Sequence, residues 1–269
     1  MLKRRVISFL VLVAAILLLS VPGFLWRPQQ VASVRATYRS AMAPVFLVPG
    51  SSATQNRFNE LVTELNHETT TKHSLLRVEV MTNGEIQYTG SITRKDNQPI
   101  IVVGFQNHHD GCDTIKKQAV WFNLAFRQLQ KTYHFNHFSA MGHSNGGLVL
   151  TLFLEHDLPK DTYAERLMTI GTPFNLEESS PDVDTPLFKE LSADRKRLPR
   201  TLTVYSIAGS EGYAGDGIVP FDSVNRGKLI FQGNVRHFTQ MTITGANANH
   251  ADLPENQQIV ALIRSDLLT

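Results

Sequence analysis

Downstream of residue 43, short apolar runs alternate with longer segments in which apolar residues recur every three or four positions. The short runs predict buried strands, and the longer spacing predicts helices that pack by one face. The predicted strands are 45–48, 75–81, 85–92, 99–105, 135–142, 166–170, 201–208 and 238–244. The predicted helices are 57–66, one that Asp113 begins as its cap, 146–156 and 255–268. This alternation predicts an α/β fold in which helices flank a mostly parallel sheet.

Two segments depart from the simple alternation. Strands 75–81 and 85–92 flank Asn83-Gly84, a dipeptide that favours a two-residue turn, and are therefore predicted to form an antiparallel hairpin. Residues 174–200 are charged and contain proline, and we predict that they form a small cap insertion. The sequence shows no internal repeat, so we expect one domain over residues 44–269, preceded by a polar linker over 27–43.

The first 26 residues have the pattern of a membrane or export segment. Lys3, Arg4 and Arg5 precede an uncharged stretch, 6–26, that contains the unbroken apolar run 9–19. As a helix at ~1.5 Å per residue, this stretch would be roughly 30 Å long, about the thickness of the hydrocarbon layer. The basic residues predict a cytoplasmic N-terminus and an extracellular domain.

Whether this segment is removed depends on a cleavage site. The small-x-small sequence Ala41-Met42-Ala43 lies far downstream of the apolar run and is followed by Pro44, which disfavours cleavage. We therefore favour an uncleaved signal anchor, and a cleaved signal peptide with a secreted product stays the alternative.

The charge balance argues against nucleic acid as a partner. The whole chain carries a formal net charge of +2. Without Lys3, Arg4 and Arg5, the 26 basic residues fall to 23, against 24 acidic residues, all of which lie after residue 26. A nucleic-acid-binding domain is expected to keep a basic surplus on its folded part, and this one does not.

A candidate nucleophile lies in the segment Gly142-His143-Ser144-Asn145-Gly146, which fits the pattern G-x-S-x-G. The segment follows a predicted strand and begins a predicted helix. A serine on such a tight turn has an exposed hydroxyl, and the helix N-terminus beside it stabilises a developing oxyanion. The alternative is a glycine-rich turn with an ordinary surface serine. His143 is expected to point beneath the turn and to pack there.

A serine hydroxyl needs a base and a carboxylate that orients the base, and after such a turn the order along the chain is Ser, acid, His. Asp216 lies between two glycines in loop 209–220, and His250 lies between the last strand and the last helix. Both loops follow strands and so reach the carboxyl edge of the sheet. Asp222 and Asp184 compete with Asp216, but Asp222 follows an apolar stretch and is expected to cap a turn or a short helix.

An oxyanion hole should use two backbone N–H groups. We expect the N–H of Asn145 and one from the loop after the first strand, where we choose Ser51. A simple turn at Pro49-Gly50 is the alternative for that loop.

Other candidate chemistry is weaker. The cluster His108-His109-Asp110 has no second matching group, so we predict no metal site. Cys112 is the single cysteine, which excludes an intrachain disulfide, and we expect it to be a small residue in the loop before a helix.

These motifs are similar to those of the α/β-hydrolase superfamily, and the similarity covers residues 44–269. More narrowly, the chain resembles the little-characterised cell-surface hydrolases of Gram-positive bacteria in the stretches FLVPGSSAT, AMGHSNGG, IGTPF, GDGIVP and NHADLPEN. That group has His-Gly where this chain has Pro49-Gly50, a departure that concerns the hydrogen bonding of the loop and not its backbone donor. The resemblance implies an α/β-hydrolase fold and a membrane-anchored or exported hydrolase. IGTPF is also similar to a segment of lipases, which suggests an acyl substrate.

Together these residues predict an extracytoplasmic serine hydrolase that acts on a carboxylic ester or a related acyl substrate. Ser144 would attack the carbonyl, His250 would take its proton and Asp216 would hold the imidazole, without a cofactor. The expected partners are a small-molecule or lipid-like acyl substrate and, through the N-terminal segment, the membrane. Two alternatives stay open, an acyltransferase that uses the same triad and a non-catalytic binding protein. A binding protein would be expected to have lost a triad residue, and all three are present.

The anchor hypothesis leads to a fractionation prediction. We expect the full-length protein to sediment with membranes and a chain that begins at Ala43 to stay soluble, because only the first contains the apolar stretch. Mass spectrometry of the native N-terminus checks whether the segment is retained. A mature protein that begins between residues 27 and 44 would identify a cleaved signal peptide instead.

Overall fold

The computed structural model describes residues 41–67, 69–178, 180, 182–211 and 215–268. The predicted anchor and nearly all of the linker lie outside these residues. Eight strands form one sheet in the order β3-β2-β4-β1-β5-β6-β7-β8. All neighbouring strands are parallel except β2 and β3, which form the predicted antiparallel hairpin. The strands are β1 Val45–Val48, β2 Leu75–Val80, β3 Ile86–Gly90, β4 Ile100–Phe105, β5 His137–His143, β6 Tyr163–Ile170, β7 Thr203–Ser210 and β8 His237–Thr244.

From β4 onwards, helices connect the successive parallel strands, which is the usual form of such crossovers. They are α1 Asn59–Leu65, α2 Cys112–Tyr133, α3 Asn145–His156, α4 Pro186–Asp194, α5 Phe221–Asn225, α6 Gly227–Phe231 and α7 Gln257–Asp266. Single 3₁₀ turns lie at Arg195–Arg197 and Leu253–Glu255. The structure confirms the predicted mostly parallel sheet flanked by helices. Among the described residues, no helix combines the length and the apolar character that crossing a membrane requires.

The core lies on both faces of the sheet because successive side chains of a strand point to opposite sides. In β1, Phe46 and Val48 join the cluster beneath α2, α3 and α4, whereas Val45 and Leu47 join the cluster beneath α1 and α7. Phenylalanine rings fill the centre of the first cluster, with neighbouring centroids such as those of Phe126 and Phe138 4.8 Å apart. The central strands are therefore buried on both faces and support the loops at their ends.

The start of α2 corrects two predictions. Asp113 does not cap this helix, because α2 begins at Cys112 and Gly111 is its N-cap, without a side-chain capping bond. Gly111 has φ 113°, a backbone conformation that glycine adopts without strain, and this allows the helix to begin two residues earlier than a helix capped by Asp113. Asp113 lies in the first turn, where its charge favours the helix dipole, and Cys112 belongs to the helix and not to the preceding loop.

The segment predicted to be a cap is partly built into the body of the domain. It contains α4 and the turn after it, and Thr185 caps α4 by accepting a hydrogen bond from the N–H of Phe188 at 3.3 Å. Leu187 and Leu191 are fully buried in the same cluster as α3. A covering role of residues 174–200 over the site stays a prediction.

Candidate active site

The turn between β5 and α3 has the strand–turn–helix form that the sequence predicts. Ser144 occupies it with φ 54° and ψ −132°, a conformation that non-glycine residues rarely adopt. The N–H of Ser144 donates to the carbonyl of Ile170 at 2.8 Å, and the N–H of Gly147 donates to the carbonyl of Ser144 at 3.0 Å. The loop after β1 lies so close that a Cβ on Gly50 would be 2.5 Å from the Cβ of Ser144. Any larger residue than glycine at position 50 would displace the serine.

The structure brings Asp216 and His250 into direct contact. Asp216 Oδ2 lies 2.7 Å from His250 Nδ1, and the two residues are only 2% and 7% exposed. The other carboxylate oxygen, Oδ1, accepts the N–H groups of Ile218 at 3.1 Å and Val219 at 2.8 Å. Asp216 is thus positioned by its own loop, so that one oxygen faces the imidazole.

The two residues are also joined through the backbone. The loops that carry them follow β7 and β8, which are neighbouring parallel strands, and the N–H of His250 donates to the carbonyl of Asp216 at 2.8 Å. The competing carboxylates lie elsewhere. Asp222 is exposed in the first turn of α5, and Asp184 pairs with Arg226 at 3.0 Å.

Gly171, which follows β6, completes this side of the site and was not among the predicted site residues. Its φ is 55°, and a Cβ there would lie 2.9 Å from Asp216 Oδ2 and 3.1 Å from His250 Nδ1. A side chain at this position would press against the hydrogen bond between the two residues. The glycine of the IGTPF stretch was the signal for this position in the sequence, but its neighbours Asp216 and His250 lie in loops that are distant along the chain.

His143, predicted to pack beneath the turn, also has a polar partner. Its Nε2 lies 2.9 Å from the carbonyl oxygen of His250, and the two rings have centroids 4.6 Å apart. Burial lowers the pKa of His143 well below its usual value, and the neighbouring His250 and Arg57 lower it further. His143 is therefore neutral, and its Nε2–H donates to the His250 carbonyl.

A second side chain holds the His250 loop from outside. Arg57 donates to the carbonyl of Ala251, the residue after His250, and pairs with Glu255 at 2.6 Å. Burial raises the pKa of Glu255, while the guanidinium of Arg57 opposes this shift. This pair joins the segment before α1 to the loop before α7, a contact that local sequence patterns do not reveal.

The two residues predicted to supply the oxyanion donors are in contact through their side chains. Asn145 is the first residue of α3, so its N–H belongs to the first turn, which has no preceding helical carbonyl to bind. The side-chain amide of Asn145 donates to Ser51 Oγ and to Asp110 Oδ1, each at 2.7 Å. The contact between Asn145 and Asp110 was not predicted. Among the described residues, no group of three or more His, Cys, Asp or Glu side chains is arranged to hold a metal ion.

Comparisons with known proteins agree with this fold. A sequence model of the family described as "Alpha/beta hydrolase of unknown function (DUF915)" matches residues 32–269. A search among proteins of curated function finds no match.

Solved structures include several that are similar to the chain. A protein of Lactobacillus plantarum WCFS1, provisionally named a cell surface hydrolase, is 58% identical, with a TM-score of 0.79 over 85% of this chain and 92% of that one. The product of the gene lin2722 of Listeria innocua is 25% identical, with a TM-score of 0.76 over 84% and 94%. A lipase-esterase related protein of Clostridium acetobutylicum ATCC 824 shares the fold at 13% identity, with a TM-score of 0.52 over 84% and 95%.

The neutral state of His143 leads to a prediction about stability and pH. Because the pKa of His143 is lowered in the folded chain, only the unfolded chain binds a proton there as the pH falls below about 6.5. The wild type should therefore lose about 1 kcal/mol more free energy of unfolding than His143→Phe between roughly pH 7.0 and pH 5.5. Urea unfolding at the two pH values measures this difference. Equal losses would indicate that folded His143 takes up the proton as well.

Proposed function

Because the chain belongs to the alpha/beta hydrolase family of unknown function (DUF915), we propose that it is an extracytoplasmic serine hydrolase of a carboxylic ester or a related acyl substrate. The observation that supports this most directly is the buried contact of 2.7 Å between Asp216 and His250. It lies at the same edge of the sheet as the strained turn of Ser144. A nucleophile, an acid and a base, in this order along the chain, are the parts with which a serine on this kind of turn carries out acyl transfer.

His250 is the proposed base. Asp216 engages Nδ1, which leaves Nε2 as the nitrogen that can take the proton of the Ser144 hydroxyl. When the imidazole becomes cationic, the buried Asp216 carboxylate stabilises it. Burial keeps His143 neutral, so it adds no second positive charge beside the His250 ring, which would weaken the base.

Ser144 then attacks the carbonyl carbon of the substrate, and the carbonyl oxygen becomes an oxyanion. The proposed donors to it are the backbone N–H groups of Ser51 and Asn145. The imidazolium returns its proton to the leaving alcohol, which departs and leaves Ser144 acylated. Water, activated by the same imidazole, releases the acid and restores the hydroxyl.

The site of action is proposed from two separate observations. The apolar stretch 6–26 with its basic N-terminal side predicts an anchor whose domain lies outside the cytoplasm. The relative of Lactobacillus plantarum, 58% identical, carries the name of a cell surface hydrolase. We therefore propose a catalytic domain on the outer side of the cell membrane.

Loss of the nucleophile tests the proposal. Ser144→Ala should abolish labelling by a fluorophosphonate probe and lower the hydrolysis of an activated ester by ~10⁴-fold or more, because no other group forms the acyl intermediate. Ser265→Ala, on the exposed side of α7, is the matched control and should label like the wild type. Ester turnover within about tenfold of the wild type in Ser144→Ala would refute the assignment.

The identity of the acid gives a second prediction. Asp216→Asn should lower the rate by roughly 10⁴-fold, because an amide can favour the wrong tautomer of His250. Asp222→Asn should change it by less than about tenfold, since Asp222 is exposed and lies in the first turn of α5. Both rates are measured on one activated ester, with circular dichroism as the check on folding. If Asp222→Asn were the crippled enzyme, the acid would have to be assigned to Asp222.

A further inference from the structure

Asp110 and the side chain of Asn145 form a polar contact for which the proposed mechanism has assigned no role. The two hydrogens of the Asn145 amide are both used, one on Ser51 Oγ and one on Asp110 Oδ1, each at 2.7 Å. Asn145 is 5% exposed whereas Asp110 is exposed, so the bond between them is partly buried. An ionised carboxylate only accepts hydrogen bonds, and Asp110 therefore fixes which end of the amide faces it.

This contact joins three loops. Ser51 follows β1, Asp110 follows β4 and Asn145 follows β5, and these three strands are neighbours in the order β4-β1-β5. The same loops are joined a second time, since the N–H of Ser52 donates to the carbonyl of His108 at 2.7 Å. In these contacts, the side-chain amide of Asn145 bonds to both the Ser51 loop and the Asp110 loop.

The loop of Asp110 is itself anchored. Asp110 Oδ1 also accepts the N–H of Gly111 at 2.7 Å, and Gln118 of α2 donates to the carbonyl of Asn107 at 2.8 Å. Gln118 is 4% exposed, so the anchor lies in the body of the domain. If Asn145 or the Ser51 loop moved, its hydrogen bonds to the Asp110 loop would break, because that loop is itself fixed to α2.

We propose that Asp110 is a positioning residue, which acts through the Asn145 side chain to hold the backbone N–H groups of Ser51 and Asn145 at the distance that an oxyanion requires. The inference rests on the proposed function, because it concerns the oxyanion hole of that reaction. Donors that stabilise an oxyanion act through their fixed position, so a loosened pair loses transition-state stabilisation while substrate binding changes little.

Two substitutions of Asp110 separate its hydrogen bond from its charge. Asp110→Ala removes the acceptor and should lower kcat on an activated ester by about 10- to 100-fold, with KM within about threefold of the wild type. Asp110→Asn keeps an acceptor oxygen for the Asn145 amide and should stay within about threefold of the wild type in kcat. Asp113→Ala is the control, because it removes a nearby exposed carboxylate that lies in the first turn of α2.

Affinity for an alkylboronic acid, which forms a tetrahedral adduct on the serine, is the readout that a merely structural role would not change. It should fall in Asp110→Ala by about the same factor as kcat, because both depend on the oxyanion donors. All measurements use the full-length protein in detergent micelles, and thermal midpoints verify that each variant is folded.

If Asp110→Ala fails to fold, exchanging the acceptor and donor side chains at positions 110 and 145 gives a second test. Asn145→Asp places two carboxylates against each other and should lose more activity than Asp110→Ala. Adding Asp110→Asn to it restores a donor and an acceptor with their roles exchanged, and should recover at least about tenfold in kcat. No recovery in the folded double variant would overturn the inference.

The remaining outcomes are also decisive. If the wild type is active and Asp110→Ala behaves like Asp113→Ala, the positioning role is wrong and the serine hydrolase stands. If Asp110→Asn is as impaired as Asp110→Ala, the charge and not the hydrogen bond matters, which also overturns the inference. If the wild type neither hydrolyses esters nor reacts with the fluorophosphonate probe, the proposed function itself fails.

Discussion

The candidate site depends on a single strained residue at the turn between β5 and α3. Ser144 adopts φ 54° and ψ −132°, which costs of order 1–3 kcal/mol for a residue with a side chain. The strain persists because the N–H and the carbonyl of Ser144 are both hydrogen-bonded to their surroundings. The carbonyl of Ile170 accepts the Ser144 N–H, and the Gly147 N–H binds the Ser144 carbonyl. This conformation turns the chain from β5 directly into α3, so that the serine lies beside the first backbone N–H groups of that helix.

The turn divides the site into two halves that follow the order of the strands. On the side of β1 and β4 lie the loops of Ser51 and Asp110, which contribute hydrogen-bonding groups to the Asn145 amide. On the side of β6, β7 and β8 lie Gly171, Asp216 and His250, which contribute a carboxylate and an imidazole. Groups suited to stabilising an oxyanion and groups suited to moving a proton are thus separated by the strand that carries the serine.

At the centre of the second half is a buried carboxylate with three hydrogen-bonding partners. The Asp216 carboxylate receives two backbone N–H groups and the imidazole of His250. A buried charge without such partners would cost several kcal/mol. His143, whose ring centroid lies 4.6 Å from that of His250, is kept neutral by its burial and by the neighbouring His250 and Arg57, so that it supports the loop without adding a charge.

Sequence alone determined the features that depend on local periodicity and on chain order. Alternating apolar runs predicted the parallel sheet, Asn83-Gly84 predicted the hairpin, and the glycines around Ser144 predicted the tight turn, because each is encoded within a few neighbouring residues. The glycines beside Asp216 likewise led to the carboxylate that the structure brings to His250.

Only the tertiary structure decided the contacts between loops. The Asn145–Asp110, His143–His250 and Arg57–Glu255 pairs are separated by 35, 107 and 198 residues, and each joins segments that only the folded sheet and its helices bring together. The start of α2 was mispredicted because Asp113 is a good cap by type, whereas the backbone of Gly111 allowed the helix to begin earlier. Local patterns specify which strands and helices form, but the partner of a loop side chain depends on the order of the strands and on the packing of the helices and loops around them, which the whole fold sets.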